Sequence, residues 1–213
     1  MKYSVINLHP IPVCSPEEEY KINDKTLKFI NTLEFSSSDR GHGTRSVDSY
    51  ILKRKKFLGL KKFIENHIDF YAHDFLGVSR KHKFYITQSW LNINQKGEGH
   101  QDHFHANSLI SGVFYIAGDE CPIYFSNSRT CVFGNGYDVE IKEHNEYNGR
   151  SWWVPNSNFK LLLFPSHVTH FVGPNQSDTP RISLSLNTFI KGTIGQKDLL
   201  TEVFFGKDIT LSS

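Results

Sequence analysis

Two kinds of periodicity divide the chain. Up to about residue 82 the apolar positions recur at helical spacing, and from Lys83 onward they alternate or run in short blocks between turn residues. Residues 3–8 alternate weakly and stop at His9-Pro10. Ser15-Pro16-Glu17-Glu18-Glu19 then has the order of a helix start: a hydroxyl N-cap, a proline at the first helical position and acids in the first turn. Tyr20, Leu27, Ile30 and Leu33 follow near a 3.6-residue period, which predicts a helix fading before Ser36-Ser37-Ser38. The segment 39–48, rich in Gly, Ser and charge, is expected to be a loop. A second helix is predicted over 57–76, with Leu60, Phe63, Ile64, Ile68, Tyr71 and Phe75 on one broad face and Gly77 as its stop.

The later part predicts strands at 83–94, 109–117, 122–126, 130–133, 137–141, 151–154, 159–164, 168–172 and 181–190. Short strands at this spacing, bounded by Gly, Pro, Asn and Asp, suggest a sandwich or jelly roll. The fold expected is therefore mainly β with flanking N-terminal helices. The run RISLSLNTF is the sharpest case: Arg181, Ser183, Ser185 and Asn187 share one strand face, while Ile182, Leu184 and Leu186 share the other. Trp90, Asn92 and Asn94 likewise share a face, and Trp152 and Trp153 point to opposite faces, so at least one of them should pack.

With 213 residues the chain suits one domain with a single core. Its formal charge of +2 balances 24 basic against 22 acidic residues, and its pI of 8.3 falls short of the basic balance typical of nucleic-acid binders. The basic run Lys53-Arg54-Lys55-Lys56 reads as a solvated face at the start of a helix. Cys14, Cys121 and Cys131 are odd in number and form no C-x-x-C pair, so a reduced, cytoplasmic protein is expected. No leader-like or membrane-spanning apolar run is present, and neither a nucleic-acid nor a membrane partner is expected.

Candidate chemistry concentrates in HFHANSLISGVFYI, residues 103–116, and in the later run FKLLLFPSHVTHFVGPNQSDTPR. In an extended backbone His103 and His105 share one face, and His100 and Asp102 share the opposite one, so only one pair is expected to point inward. A lone histidine is usually an ordinary packed or solvated residue. A close pair before an apolar strand, joined by the distant His170 and followed by Arg181, points to a metal site beside an anion site. His167 has the other parity from His170 and reads as a supporting or surface group, and Asp119 and Asp138 read as loop residues.

Several blocks in order, TQSWLN at 87–92, His-x-His followed by NSLISGVFYI, IYF at 123–125, WWV at 152–154, LLLFPSHVTHFVGPN at 161–175 and RISLSLN at 181–187, resemble the iron(II)- and 2-oxoglutarate-dependent oxygenases, in a small prolyl-hydroxylase-like subgroup found in bacteria and their phages. The resemblance implies a double-stranded β-helix of the cupin-like jelly-roll type, with helices outside it and iron(II) at its mouth. It implies an oxidoreductase using Fe(II) and 2-oxoglutarate as co-substrate, with ascorbate supportive. Such an enzyme hydroxylates a peptide, amino acid or other small substrate with O2 and releases succinate and CO2. Family members usually hold iron with His-x-Asp or His-x-Glu and a distal His, leaving positions open for 2-oxoglutarate and dioxygen.

Here two registers are open. The subgroup pattern implies His103, His105 and His170 as metal ligands and catalytic centre, whereas the general pattern implies His100 and Asp102 with His170. By the same resemblance Arg181 fixes the remote carboxylate of 2-oxoglutarate, with Ser183 and Tyr115 as further donors. One oxygenase domain is expected over 1–213, with a helical flank at 1–82, a β-helix core at 83–190 and a C-terminal extension at 191–213. Substrate recognition is expected in the loops 36–48, 94–108 and 126–150. A non-catalytic cupin-like barrel holding a metal or ligand is the other reading, and a structural or host-interaction protein that retains an old site is a third.

Overall fold

The protein is described by a computed structural model covering residues 2–8, 10–37, 43–118, 121–126, 140–155 and 157–205. The expected strands at 130–133 and most of 137–141, with Cys131, Asp119 and Asp138, lie outside the described residues.

The first helix starts later than the Ser15-Pro16 signal suggests. Helix α1 is Asp24–Ile30, and Asn23 caps it by accepting the Thr26 N–H at 3.0 Å. Upstream, Cys14 is drawn into backbone pairing with Leu163, its N–H donating at 2.8 Å, so the chain before the helix lies extended against a sheet edge. Tertiary pairing overrides the local helix-start chemistry. Helix α2, Leu58–Asp69, continues into a π-helical turn at Phe70–Phe75 and stops before Gly77, whose φ of +69° suits glycine. Lys53 to Lys56 are exposed on two 3-10 turns just ahead of α2, as a solvated face requires.

The strands are β1 Phe35–Ser37, β2 Thr44–Ser46, β3 Lys83–Asn94, β4 His100–His103, β5 Ile110–Ala117, β6 Ile123–Ser126, β7 Ser151–Val154, β8 Leu161–Pro165, β9 His170–Val172, β10 Arg181–Ile194 and β11 Val203–Phe205. They form a larger sheet in the order β1-β2-β3-β10-β5-β8, with β11 added on β10, and a smaller sheet in the order β4-β9-β6-β7. The paired strands are antiparallel. This is the mainly β, double-stranded β-helix architecture. The segment expected to be a helical flank also contributes β1 and β2 to the larger sheet, and β10 runs on to Ile194.

Strand alternation sends side chains into two separate cores. Leu91, Phe114, Ile116, Leu161, Leu163, Leu184 and Leu186 pack with Ile30, Phe57, Leu60, Ile64 and Tyr71 of the helical layer. Val113, Tyr115, Leu162 and Phe164 of the same larger sheet face Ile123 and Phe125 of the smaller one. The buried β5 and β8 therefore read as nearly continuous apolar runs, because both of their faces are covered.

Candidate metal and anion site

A cavity of about 490 Å³ opens between the two sheets. Its floor is a grid dictated by register. On β10 the residues Arg181, Ser183 and Ser185 stand opposite Asn94, Asn92 and Trp90 of β3. On the other side Ser183, Ser185 and Asn187 stand opposite Tyr115, Val113 and Ser111 of β5. The alternation in RISLSLN places Arg181, Ser183, Ser185 and Asn187 in the cavity lining, while Leu184 and Leu186 are buried in the helical-side core. Nothing in the residue pattern singles out Arg45. It lines the cavity from β2, opposite Asn92, in a segment expected to be a loop.

The smaller sheet brings the histidines. His103 of β4 pairs with His170 of β9, and His100 pairs with Val172, with a register irregularity between them. Gln101 and Asp102 on β4 thus stand against the single Phe171 on β9. This bulge corrects the expectation from strict alternation: His100 and His103, at opposite parity, both line the cavity. His105 lies beyond β4, held by its N–H donating to the Ser166 carbonyl at 2.9 Å.

Nitrogen atoms of His103, His105 and His170 all lie within 4.8 Å of one another, the spacing of ligands around one ion. Each ring has Nδ1 bonded away from that centre: His103 to the Gln101 carbonyl at 2.8 Å, His170 to the Val168 carbonyl at 2.9 Å, and His105 to Asn187 Oδ1. A ring that donates through Nδ1–H presents a bare Nε2 lone pair, the form a metal requires. Burial, and next the neighbouring His103, push the His170 pKa down to about 3, so this ring is neutral throughout the ordinary pH range. The donor set suits a divalent transition metal such as iron(II).

Asp102 is placed elsewhere. Its Oδ1 accepts from the Ser126 hydroxyl at 2.9 Å, and it is not part of the three-histidine cluster. His100 lines the cavity with its ring centroid 6.4 Å from that of His103. His167 is exposed. Trp152 and Trp153 lie with ring centroids 4.3 Å apart on β7, with Trp153 46% exposed, and neither belongs to the buried cores.

The other end of the cavity holds a buried cation. Arg181 is only 3% exposed. Its Nη2 donates to Asn94 Oδ1 at 3.0 Å, and its buried Nη1 has no hydrogen-bond partner among the described residues. A buried guanidinium with an unmet donor is costly unless a ligand meets it, and a carboxylate matches its planar fork. Gly118, φ +115°, makes room for it: a Cβ there would lie 2.6 Å from the Arg181 Cα. Ser183 and Tyr115, nearly buried, line the same cavity.

The sequence matches a family model described as "Putative 2OG-Fe(II) oxygenase" over residues 88–187. No curated protein matches it. Among solved structures it is similar to a Trichoplax adhaerens prolyl hydroxylase in complex with a hypoxia inducible factor peptide fragment. That pair has TM-score 0.57 and 12% identity, covering 83% of each chain. It is also similar to the epimerase SnoN from nogalamycin biosynthesis, whose structure holds Fe3+, alpha ketoglutarate and nogalamycin RO. Here TM-score is 0.55 and identity 12%, over 84% of this chain and 79% of that one. A Pseudomonas putida prolyl-4-hydroxylase aligns with TM-score 0.50 and 12% identity over 84% and 92% of the two chains.

Proposed function

We propose that this chain is an iron(II)- and 2-oxoglutarate-dependent oxygenase, a reading supported by the family model over residues 88–187, and that it oxidises a peptide, amino acid or other small substrate by way of the three-histidine centre. The reading rests on one observation: the histidine cluster and the buried, half-partnered Arg181 open into the same cavity. His103, His105 and His170 are assigned as iron ligands through Nε2, and together they form the catalytic centre. Arg181 is assigned to the remote carboxylate of 2-oxoglutarate, with Ser183 and Tyr115 as neighbouring hydroxyl donors. Bound iron would supply the activation of dioxygen that couples 2-oxoglutarate decarboxylation to substrate oxidation.

The protein's own part is placement and exclusion. Nδ1 acceptors behind the three rings hold them in one tautomer, so little reorganisation is needed when a metal enters. Val113, Ile123, Phe164 and Val172 give the cavity apolar walls that keep water from the reacting centre. Arg45, Trp90 and the 60%-exposed Phe104 also line the cavity and are assigned to substrate contact. No helix among the described residues is long and apolar enough to cross a membrane, and we place the enzyme in the cytoplasm as a single domain.

Purified protein supplied with iron(II), ascorbate and 2-oxoglutarate is expected to release succinate. Release should be faster with a true substrate and absent in His170→Ala. No succinate from iron-loaded protein, with or without a panel of peptides and amino acids, would count against the proposal.

A further inference from the structure

The three histidines do not share one supporting arrangement. His103 and His170 each bond a main-chain carbonyl two residues before them, Gln101 and Val168, an acceptor that comes with the local backbone whatever the side chains are. His105 instead depends on a side chain, the amide oxygen of Asn187, 82 positions away on β10. By the family resemblance, its place after His103 is the one usually held by a carboxylate ligand. A carboxylate has no ring nitrogen to orient; an imidazole there has two, and only one tautomer leaves Nε2 bare.

Asn187 is itself held from behind. The Ser111 hydroxyl donates to its Oδ1 at 3.1 Å and lies 2.8 Å from the Ser166 hydroxyl, which is itself 2.8 Å from that of Ser108. Ser111 and Ser166 are both fully buried. Ser166 supplies a second restraint, because its carbonyl accepts the His105 N–H at 2.9 Å. The order of the Asn187 amide matters: were its NH2 turned toward His105, it would meet the ring N–H as donor against donor, or favour the tautomer protonated on Nε2. Ser111, donating to the oxygen, selects the other orientation.

We infer that Asn187, backed by the buried Ser111–Ser166–Ser108 cluster, is the positioning residue that adapts this site to a histidine in place of a carboxylate, by setting the tautomer and ring angle of His105. The inference rests on the assignment of His105 as a metal ligand. It adds that this ligand's competence is supplied from β10, the strand that also carries Arg181.

The test uses the full chain without iron, with cobalt(II) alone as probe. Affinity is measured by chelator competition, and the His105 tautomer of the metal-free protein by imidazole 15N NMR above pH 7. Loss of the supporting acceptor in Asn187→Leu is expected to weaken cobalt(II) binding about 10- to 100-fold and to abolish the Nδ1-protonated His105 signal. Asn187→Asp, which keeps an acceptor, is expected to restore both to near wild type, and Ser111→Ala to give an intermediate loss. Full affinity and an unchanged tautomer in Asn187→Leu would overturn the inference, as would Asn187→Asp being as weak as Asn187→Leu. His105→Ala separates the two levels: cobalt(II) affinity equal to wild type there would remove the ligand assignment, while the NMR signal still decides whether Asn187 sets the tautomer. Should Asn187→Leu fold poorly, the Asp and Ser111 variants carry the same contrast.

Discussion

Replacing Arg181 by methionine separates ligand binding from folding. In the metal-free, ligand-free protein the substitution removes one hydrogen bond, Nη2 to Asn94 Oδ1, and also removes the buried Nη1 that has no partner among the described residues. The lost bond and the relieved donor are each worth about 1–3 kcal/mol with opposite sign, so apo stability should change by no more than about 1 kcal/mol. Binding behaves otherwise. Breaking a buried, charge-assisted pair at one partner costs about 2–5 kcal/mol, and about 3 kcal/mol corresponds to roughly a 150-fold rise in Kd.

The two outcomes are read together by calorimetric unfolding of manganese(II)-loaded protein, a metal chosen to avoid turnover. At about 100 times the wild-type Kd, 2-oxoglutarate adds about 2.7 kcal/mol to the native state, roughly 5–11 °C in Tm for a domain of this size. At the same concentration Arg181→Met should gain only about 0.3 kcal/mol, a shift of about 1 °C. An undiminished ligand shift in Arg181→Met would refute the anion role. A collapse of the apo Tm by more than about 10 °C would show that Arg181 is chiefly structural.

Three further outcomes follow. Asp102→Ala should keep its metal and His105→Ala should lose most of it, measured by iron(II) content after desalting; the reverse would restore the carboxylate register. Because His170 titrates at about 3 when folded and near 6.5 when unfolded, its contribution to stability is complete above about pH 6.5 and is lost as pH falls toward 3. In that window the unfolded chain takes up a proton that the native chain does not. Urea unfolding of the apo protein at pH 7.5, 6 and 5 should therefore show stability falling by up to about 1.4 kcal/mol per unit below pH 6.5, and a pH-independent stability would contradict the buried neutral ring. Gly118→Ala should destabilise the fold by about 1–3 kcal/mol through its positive φ and weaken 2-oxoglutarate binding by displacing Arg181; wild-type values for both, by unfolding and titration, would exclude the close approach.

What could be read from the chain follows from what governs each element. The strand RISLSLN was legible because nothing but the two-residue repeat decides which way Arg181, Ser183, Ser185 and Asn187 face. Helix α2 was legible from its broad apolar stripe and Gly77. The start of α1 was not, because pairing of Cys14 with Leu163 holds the chain extended past a perfectly good capping sequence. Nor was the facing of His100, since a bulge leaves no mark in residue type and reverses the parity of everything beyond it. Strand β2, with no apolar residue in Thr44–Ser46, is recruited by the edge of β3, and with it Arg45 enters the cavity.

The three-histidine cluster also has a thermodynamic consequence. A dication bound there would meet no aspartate or glutamate among the described residues that line the cavity. The doubly negative co-substrate would then supply the countercharge. Metal and co-substrate are then linked ligands, each raising the other's affinity by the same factor. The amount of iron retained by such a site would become a function of how much 2-oxoglutarate surrounds it.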